Sequence, residues 1–461
     1  MEAPFDALPD VLLRDLRPDP VKIMRFLERY TPLENYPSEL LTSHVDAGIA
    51  ELRGQPRSMD YITQFVLKTV TDCNLRCQYP CYEYIDDSWR ALPAVMSDEV
   101  IRSVGQRIGA YADTNNLRTV DVIFHGGEPL FMRQPVEYYK RAIPLLLGEV
   151  CLLAPKTDVK LHIQTNGMLL REPILDVFNE HKVSVGVSMD GPAQVHDALR
   201  KTRAGRGSHE RVLAGLQLLN SPAYRHLIRS LLCVVNIDSD PREVDDFLTQ
   251  HAPPGAYIDY LLPYANHDQP PRRPKDPTRD SATPYADWLL PICIRRILGG
   301  TAPQVRIVTS MIRLSLGGTS LTEAIGPYTG GDVVIRTDGS YELLDALKAT
   351  GGSVATDMSV ATHSIESVAQ LLRRNHLLGK KSVADACTVC PVLDICGGGH
   401  IASRFSAERG FNNPSVYCAD LLKLSQEIQK ATLHHARYGM VRILEKEGVP
   451  PVPPASKCAA C

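Results

Sequence analysis

The sequence predicts an α/β fold, a partial (β/α)6 barrel followed by a smaller domain, with helical extensions at both ends. Two observations support this. From residue 61 onward, short runs rich in β-branched residues alternate with amphipathic stretches of helical length, which is typical of a parallel sheet. Polar residues suited to binding or catalysis also follow one predicted strand after another. The six predicted strands are Ile62–Thr69, Thr119–Phe124, Lys160–Thr165, Val183–Ser188, Leu231–Asn236 and Tyr257–Leu262.

At 461 residues the chain is too long for one ordinary core, so we expect several structural units. A linker rich in Pro and Arg, Gln269–Thr283, follows the last predicted barrel strand. The expected units are a helical N-terminal extension at 1–58, the barrel at 59–299, a cysteine-bearing domain at 300–425, and a C-terminal helix with a Pro- and Cys-containing tail at 426–461. The clearest helices are predicted at Asp98–Ala112, Val136–Leu147, His209–Leu219 and Leu421–Glu447.

Composition and charge exclude several classes of function. The net charge of −3 gives no electrostatic reason to expect nucleic acid or an anionic membrane as a partner. No apolar run approaches the roughly 18 residues that span a bilayer. The first ten residues contain neither the basic nor the hydrophobic segment of a secretory signal. We therefore expect a cytoplasmic protein, in which clustered cysteines are metal ligands rather than a disulfide framework.

The C-terminal end of each predicted strand carries residues of chemical interest. Active sites of barrel enzymes are built from these ends, so we expect one site assembled from all six. The segments are the cysteine loop Cys73–Cys81, His125–Pro129, Gln164–Gly167, Ser188–Pro192, Asn236 and Pro263–Tyr264.

Three cysteines, Cys73, Cys77 and Cys81, stand within nine residues after the first strand, in T-D-C-N-L-R-C-Q-Y-P-C-Y-E-Y. Three thiolates on one loop can hold three irons of a [4Fe–4S] cluster and leave the fourth iron open to another molecule. Three close cysteines also suit zinc, which takes four nitrogen or sulfur ligands. The spacing alone leaves both interpretations open.

Together with the later motifs, the loop resembles that of the radical S-adenosylmethionine (SAM) enzymes. Their usual signature is C-x3-C-x2-C with an aromatic residue before the last cysteine, and Gly126–Pro129 matches their G-G-E-P motif. Here Pro80 takes the place of the third cysteine, so the spacing is C-x3-C-x3-C. A small bulge at Pro80 would return Cys81 to the cluster; the alternative is a cluster with one weak ligand.

The resemblance implies that SAM binds the open iron and is cleaved to a 5′-deoxyadenosyl radical. It also implies roles for residues that, taken singly, are equally typical of turns and strand ends. Gly126, Gly127 and Glu128 would contact the methionine amine, Asn166 and Ser188 the ribose or carboxylate, Arg200 the carboxylate, and Tyr79 the adenine.

A second cysteine group comprises Cys387, Cys390, Cys396 and Cys418. Its spacing resembles the SPASM domain of radical SAM peptide maturases, which holds two auxiliary [4Fe–4S] clusters. Leu344 and His400 occupy cysteine positions of that pattern, and both losses fall on the same cluster. The resemblance thus implies one auxiliary [4Fe–4S] cluster with four cysteine ligands. A four-cysteine zinc site is the alternative.

Two further residues near these positions are candidates for a role in the reaction or in the substrate cavity. Asp345 directly follows Leu344. In sulfatase-maturing relatives the Asp at that place serves as a base, so Asp345 is the candidate catalytic residue for removing a proton. An Asp that ends a turn is an equally good interpretation. His400 is expected to line the substrate cavity or to be a structural histidine.

Longer stretches, among them Asp338–Lys348 and Gly398–Cys418, resemble the FxsB-like branch of radical SAM/SPASM maturases. That branch includes enzymes that join an aromatic ring carbon to the β-carbon of the residue two positions on, a three-residue cyclophane. The resemblance implies a ribosomal precursor peptide as substrate and an external electron donor of the flavodoxin or ferredoxin type. Alternatives are a thioether crosslink, oxidation of Cys or Ser to formylglycine, and a peptide-binding scaffold with a degenerate cluster.

Replacing Cys81 with Ala is expected to abolish SAM cleavage, because the cluster would lose its third ligand. The measurement is the 5′-deoxyadenosine formed from SAM under anaerobic conditions with a chemical reductant. Cys151→Ala removes a cysteine outside both groups and serves as the control. Cleavage by Cys81→Ala at the wild-type rate would refute the ligand assignment.

Overall fold

The structure is a computed structural model that describes residues 60–79, 84, 87–253, 255–299, 303–315, 317–351 and 354–446. The N-terminal extension expected at 1–58 lies outside the described residues, as do Pro80 and Cys81 of the cysteine loop. Within the described part of the chain, no helix is both long and apolar enough to span a membrane.

A large sheet forms the centre of the fold. The strands are β1 (Gln64–Val70), β2 (Leu75–Cys77), β3 (Thr119–Gly126), β4 (Asp158–Thr165), β5 (Ser184–Ser188), β6 (Arg200–Thr202), β7 (Ile228–Val234), β8 (Tyr257–Leu261), β9 (Gln304–Val305), β10 (Asp332–Ile335), β11 (Ser340–Glu342) and β12 (Ala355–Ser359). The order in the large sheet is β12-β11-β10-β1-β3-β4-β5-β7-β8-β9, while β2 and β6 form a separate pair. From β10 to β9 all neighbours are parallel.

Helices connect the parallel strands and continue beyond the last strand of the sheet. They are α1 (Asp98–Thr114), α2 (Pro135–Leu153), α3 (Glu172–Glu180), α4 (Ala193–Leu199), α5 (His209–Leu219), α6 (Pro241–His251), α7 (Pro284–Gly299), α8 (Arg306–Ser315), α9 (Ile365–Arg374), α10 (Leu393–Cys396) and α11 (Cys418–Lys446). The alternation of strand and helix along the barrel confirms the predicted α/β fold.

The six predicted barrel strands are all present, as β1, β3, β4, β5, β7 and β8. The largest shift is in β7, which runs over Ile228–Val234 and therefore ends before Asn236. The sequence analysis did not identify β9 to β12. Strand β10 pairs in parallel with β1, from Gln64 opposite Asp332 to Leu67 opposite Ile335. The region after the linker therefore adds strands to the barrel sheet, and the proposed domain boundary at residue 300 stays a prediction.

Alternation along the strands separates a helix-facing core from inward-facing positions. Phe65 and Leu67 of β1 are fully buried in the core, as is Ile258 of β8. The positions between core residues line internal cavities, as Gln64 does in β1 and Asp259 does in β8. The barrel interior is therefore polar and partly open, whereas closed barrels fill this space with layers of apolar side chains.

Helix α11 and the residues before it attach the C-terminal region to the barrel. Asp420, in the first turn of α11, accepts hydrogen bonds from the backbone N–H groups of Tyr285 and Ala286 at the start of α7, both at 2.8 Å. Tyr417 donates a hydrogen bond of 2.7 Å to the carbonyl of Pro263, which follows β8. These bonds hold the C-terminal region against the C-terminal ends of the barrel strands.

Replacing Asp420 with Ala is expected to lower the free energy of unfolding by about 1–3 kcal/mol, because two N–H groups at the first turn of α7 lose their acceptor. Chemical denaturation of the anaerobically purified protein measures this. Glu427→Gln alters an exposed carboxylate on the same helix, and we expect a change within about 0.5 kcal/mol. Equal stabilities of the two variants would contradict the capping role of Asp420.

Candidate active site

A cavity of about 310 Å³ lies at the C-terminal ends of the barrel strands. It is lined by every described residue that the sequence predicted to bind SAM or its cluster: Cys73, Cys77, Tyr79, Gly126, Gly127, Glu128, Asn166, Ser188 and Arg200. The parallel sheet brings these residues together because its strands end at one edge. Their individual roles stay predictions.

Short antiparallel pairing fixes the cysteine loop in place. Strand β2 pairs with β6, so that Cys77 lies opposite Arg200. Arg203 donates a hydrogen bond of 2.8 Å to the carbonyl of Cys73 and forms an ion pair with Asp72. The loop that carries the first two cysteines is therefore held by the chain that follows α4.

Close packing leaves no room for a side chain at Gly126 or Gly127. A Cβ on Gly126, where φ is +141°, would lie 2.2 Å from the carbonyl oxygen of Val70, and one on Gly127 would lie 2.3 Å from that of Asp72. The backbone N–H of Gly127 donates to the carbonyl of Val70 at 2.9 Å, and that of Glu128 to the carbonyl of Asp72 at 2.9 Å. The two glycines thus bring the end of β3 against the chain that enters the cysteine loop.

Glu128 is buried and accepts three hydrogen bonds. Its Oε1 accepts from the hydroxyl of Thr165 at 2.6 Å and from the N–H of Leu130 at 3.2 Å, and its Oε2 accepts from the N–H of Asn166 at 2.7 Å. Burial raises the pKa of Glu128 to about 7, although the hydrogen bonds oppose this. A carboxylate oxygen has two acceptor positions, so Oε2 retains one for a cationic amine.

Asn166 and Ser188 stand on neighbouring strand ends. Asn166 donates a hydrogen bond of 2.7 Å to Asn74, next to Cys73, and accepts one of 3.1 Å from the N–H of Met168. The Ser188 hydroxyl accepts a hydrogen bond of 3.0 Å from Gln164. Asn166 therefore supports the cysteine loop, and the Ser188 hydroxyl still has its own proton to donate.

Arg200 forms a buried ion pair with Asp190. Its Nε donates to Oδ2 of Asp190 at 2.7 Å and its Nη2 to Oδ1 at 3.1 Å. Burial alone would lower the pKa of Arg200, but the Asp190 carboxylate raises it well above its usual value. The guanidinium carbon lies 5.4 Å from the ring centroid of Tyr79. Nη1 remains for the carboxylate that the sequence assigned to Arg200.

Asp345, the predicted base, does not line this cavity. Its Oδ2 forms an ion pair of 2.8 Å with Lys68, which is only 3% exposed. Burial would raise the pKa of Asp345, but Lys68 and Lys348 together hold it below its usual value. The structure therefore places Asp345 in a buried charge pair between β1 and the C-terminal region.

Three charged residues that the sequence analysis missed do line the cavity: Asp259, Arg306 and Glu323. Arg306 at the start of α8 forms an ion pair of 3.1 Å with Asp259 of β8. A charged residue at the centre of the apolar run Tyr257–Leu261 was a signal available for Asp259. Nothing in the sequence indicated that Arg306 and Glu323, from beyond the linker, would reach into the barrel.

The second cysteine group is also brought together. Cys387 and Cys396 are buried, Cys390 is half-buried and Cys418 is exposed. Burial, with smaller contributions from the neighbouring Cys418, Cys390 and Cys387, raises the pKa of Cys396 to about 11. No group of three or more His, Cys, Asp or Glu side chains in the described ranges has the geometry to hold a metal ion as it stands. The four thiols are nevertheless close enough to affect one another.

The two positions at which the SPASM resemblance expects cysteines lie in neighbouring elements. Leu344 is buried and precedes a 3₁₀ helix, Asp345–Thr350, which packs against a second 3₁₀ helix, Ile401–Arg404, that follows His400. His400 lines a cavity of about 70 Å³, and its ring centroid is 6.2 Å from that of Tyr264. An apolar side chain and an imidazole therefore occupy the positions of the missing ligands.

The chain is similar to several known proteins. The family model described as Radical SAM superfamily matches residues 67–247. A serine-type anaerobic sulfatase-maturating enzyme of Bacteroides thetaiotaomicron is 35% identical over 148 residues, 32% of this chain and 34% of that enzyme. A cysteine-type anaerobic sulfatase-maturating enzyme of Clostridium perfringens is 24% identical over 358 residues, 75% of this chain and 90% of that enzyme.

An uncharacterized Synechocystis protein matches over 191 residues with 28% identity, 40% of this chain and 44% of its own length. The chain therefore spans less than half of two of these relatives. Among solved structures, native anSMEcpe with bound AdoMet and Cp18Cys peptide has a TM-score of 0.63 and 20% identity, covering 83% of this chain and 99% of that one. Streptococcus suis SuiB bound to precursor peptide SuiA has a TM-score of 0.51 and 14% identity, covering 86% of each chain.

The fold is the radical SAM α/β fold, shared with SPASM-type enzymes. Residues 67–247 match the Radical SAM superfamily, whose enzymes use a [4Fe–4S] cluster and SAM. The residues present fit both groups. Cys73 and Cys77 line the same cavity as the free acceptor position of Glu128 and the free donor of Arg200. The thiols of Cys387, Cys390, Cys396 and Cys418 lie near one another, and their role as the four ligands of an auxiliary cluster stays a prediction.

SAM is expected to bind about eightfold more weakly at pH 6 than at pH 7.5. Glu128 has a pKa of about 7 before SAM binds, and its ionised form pairs with the ammonium of SAM, so binding below pH 7 must first release a proton. Equilibrium binding to the cluster-loaded protein measures this. In Glu128→Gln, binding should be weaker and lose this dependence. If SAM affinity of the wild type is also independent of pH, the contact between Glu128 and the ammonium of SAM is contradicted.

Proposed function

We propose that the protein is a radical SAM maturase of a ribosomally made peptide, and that it forms a carbon–carbon crosslink between an aromatic ring and the β-carbon of a nearby residue. One observation carries the proposal. The cavity with the SAM-site residues is also lined by Arg306 and Glu323. Both residues, with Gln164, also line a second cavity of about 500 Å³ inside the barrel. The structure therefore has room for a peptide segment next to SAM.

The relatives and neighbours support a peptide substrate. Two of the relatives are named as sulfatase-maturating enzymes. Two of the structural neighbours contain a bound peptide, Cp18Cys in one and precursor peptide SuiA in the other. The cyclophane product itself rests on the FxsB-like stretches of the sequence, and the electron donor is an external flavodoxin or ferredoxin.

The chain's own residues would position SAM and protect the reaction. Bound at its cluster, SAM supplies a 5′-deoxyadenosyl radical that removes a hydrogen atom from the peptide. Glu128 would accept from the methionine amine, and Arg200, oriented by Asp190, would hold the carboxylate. Tyr417 and Asp420 keep the C-terminal region over the strand ends, which limits access of water to the radical. Holding the peptide in a near-attack geometry supplies the entropic part of catalysis.

The four cysteines of the second group would hold an auxiliary [4Fe–4S] cluster that accepts the surplus electron. A fully ligated cluster suits this role because it presents no open iron to the substrate. Formylglycine formation is a second candidate function, and the names of the two sulfatase-maturating relatives favour it. It shares the radical step and differs in what happens to the peptide radical.

The proposal is tested with anaerobically purified protein, a reductant, SAM and synthetic peptides that carry aromatic-x-x repeats. We expect 5′-deoxyadenosine and a peptide that has lost two hydrogens. The product should resist aldehyde trapping and show a new bond to a ring carbon by fragmentation. Trapping of an aldehyde on a Cys or Ser peptide would instead support formylglycine formation. Absence of 5′-deoxyadenosine with every peptide would refute the proposal that the protein is a radical SAM maturase.

Iron analysis gives an independent test of the auxiliary cluster. The wild type is expected to contain about eight irons, and Cys387→Ala about four, because one cluster loses a ligand. Cys151→Ala changes an exposed cysteine outside both groups, and its iron content should equal that of the wild type. A Cys387→Ala variant that retains all of its iron, or one with zinc in place of iron, would contradict the auxiliary cluster.

A further inference from the structure

The proposed reaction requires a proton acceptor in the cavity. When a peptide radical has attacked an aromatic ring, the ring carbon must lose its proton and the system one electron. The acceptor must contact the substrate, so it must line the cavity that holds the SAM-site residues. Among the described residues, the carboxylates that do so are Glu128, Asp259 and Glu323, and His125 lines the same cavity.

Three of these four groups already have hydrogen-bond or ion-pair partners. Glu128 already accepts three hydrogen bonds and faces the predicted SAM amine. Asp259 is paired with Arg306 at 3.1 Å. Nδ1 of His125 accepts the N–H of Gly126 at 2.8 Å, so in the neutral ring Nε2 carries the proton and acts as a donor.

Glu323 differs from these groups. No other described residue donates a hydrogen bond to its carboxylate or lies within ion-pair distance of it. Its backbone is nevertheless fixed, because Lys381 donates a hydrogen bond of 2.6 Å to its carbonyl oxygen. The side chain is partly exposed, and the residue lines all three of the internal cavities described above. It is therefore a carboxylate at their junction whose hydrogen bond from its own backbone N–H leaves other acceptor positions open to a substrate.

The charges around Glu323 keep it ready to accept a proton. Burial would raise its pKa, but His400, Arg306 and Lys381 hold it below its usual value. The carboxylate is therefore ionised at neutral pH. Asp345 has no comparable access, because its Oδ2 is bound to Lys68 at 2.8 Å and the residue is absent from the cavity lining.

We propose that Glu323 is the catalytic residue that takes the proton from the peptide after the radical has attacked its target, an inference that rests on the proposed function. The atoms and electrons of this reaction balance. One hydrogen atom goes from the β-carbon to the 5′-deoxyadenosyl radical, and a new carbon–carbon bond forms. The ring C–H bond then breaks, its proton goes to the Glu323 carboxylate, and the remaining electron goes to an oxidised iron–sulfur acceptor.

Asp332 provides the next position for the proton. It lines the cavity of about 500 Å³ together with Glu323. Burial raises the pKa of Asp332 to about 7, and the charge of Glu323 contributes to this. Paired carboxylates with separated pKa values are suited to passing a proton between them.

The test is Glu323→Gln, assayed with a peptide deuterated at the β-carbon. Crosslinked product is expected to fall by about 100-fold, the usual effect of losing a general base. Deuterium should still appear in 5′-deoxyadenosine at close to the wild-type amount, because hydrogen abstraction precedes the proposed step. Glu323→Asp, which keeps a carboxylate one methylene shorter, should recover part of the product. Glu323→Ala, which also removes the carboxylate, serves as the test variant if Glu323→Gln does not fold.

Glu408→Gln changes an exposed carboxylate of the same region and should behave as the wild type. Wild-type crosslinking by Glu323→Gln would overturn the inference, as would loss of deuterium transfer together with product in a variant of normal iron content. Loss of product in Asp345→Asn alone, with deuterium transfer intact, would assign the step to Asp345. A wild-type protein that makes no 5′-deoxyadenosine would instead refute the proposed function, and the inference with it.

Discussion

The buried ion pair between Asp190 and Arg200 is the interaction on which the site depends. Asp190 follows β5 and accepts two hydrogen bonds from the Arg200 guanidinium and one of 2.9 Å from the N–H of Val234, at the end of β7. Arg200 begins β6, which pairs with the strand that carries Cys77. One carboxylate thus connects two barrel strands to the cysteine loop. Because an unpaired buried charge costs several kcal/mol, the two residues are constrained to stay together.

The C-terminal region completes the cavity as well as covering it. Arg306 enters the barrel and pairs with Asp259, and Glu323 is held at the junction of the cavities by Lys381. Strand β10 continues the barrel sheet beyond β1. A polar interior of this kind is costly to bury unless its charges are compensated. The compensating partners come from both parts of the chain, so the site forms only when both are folded together.

Leu344 and His400, at the positions where the SPASM resemblance expects cysteines, lie close to each other in the fold. Leu344 and His400 precede two 3₁₀ helices that pack against each other, where the SPASM pattern would place ligands of one cluster. Buried leucine fills the space on one side, and His400 faces Tyr264 across a small cavity on the other.

The sequence by itself determined the alternating fold and the order of the motifs, because periodicity and turn chemistry are local. It placed Cys73, Glu128, Asn166 and Ser188 at the ends of successive strands, and the parallel sheet brought them together. Only the tertiary structure decided that Asp345 is paired with Lys68 outside the cavity and that Glu323 lies within it. The physical reason is that burial and charge pairing depend on contacts between residues far apart in the chain, which no local pattern encodes.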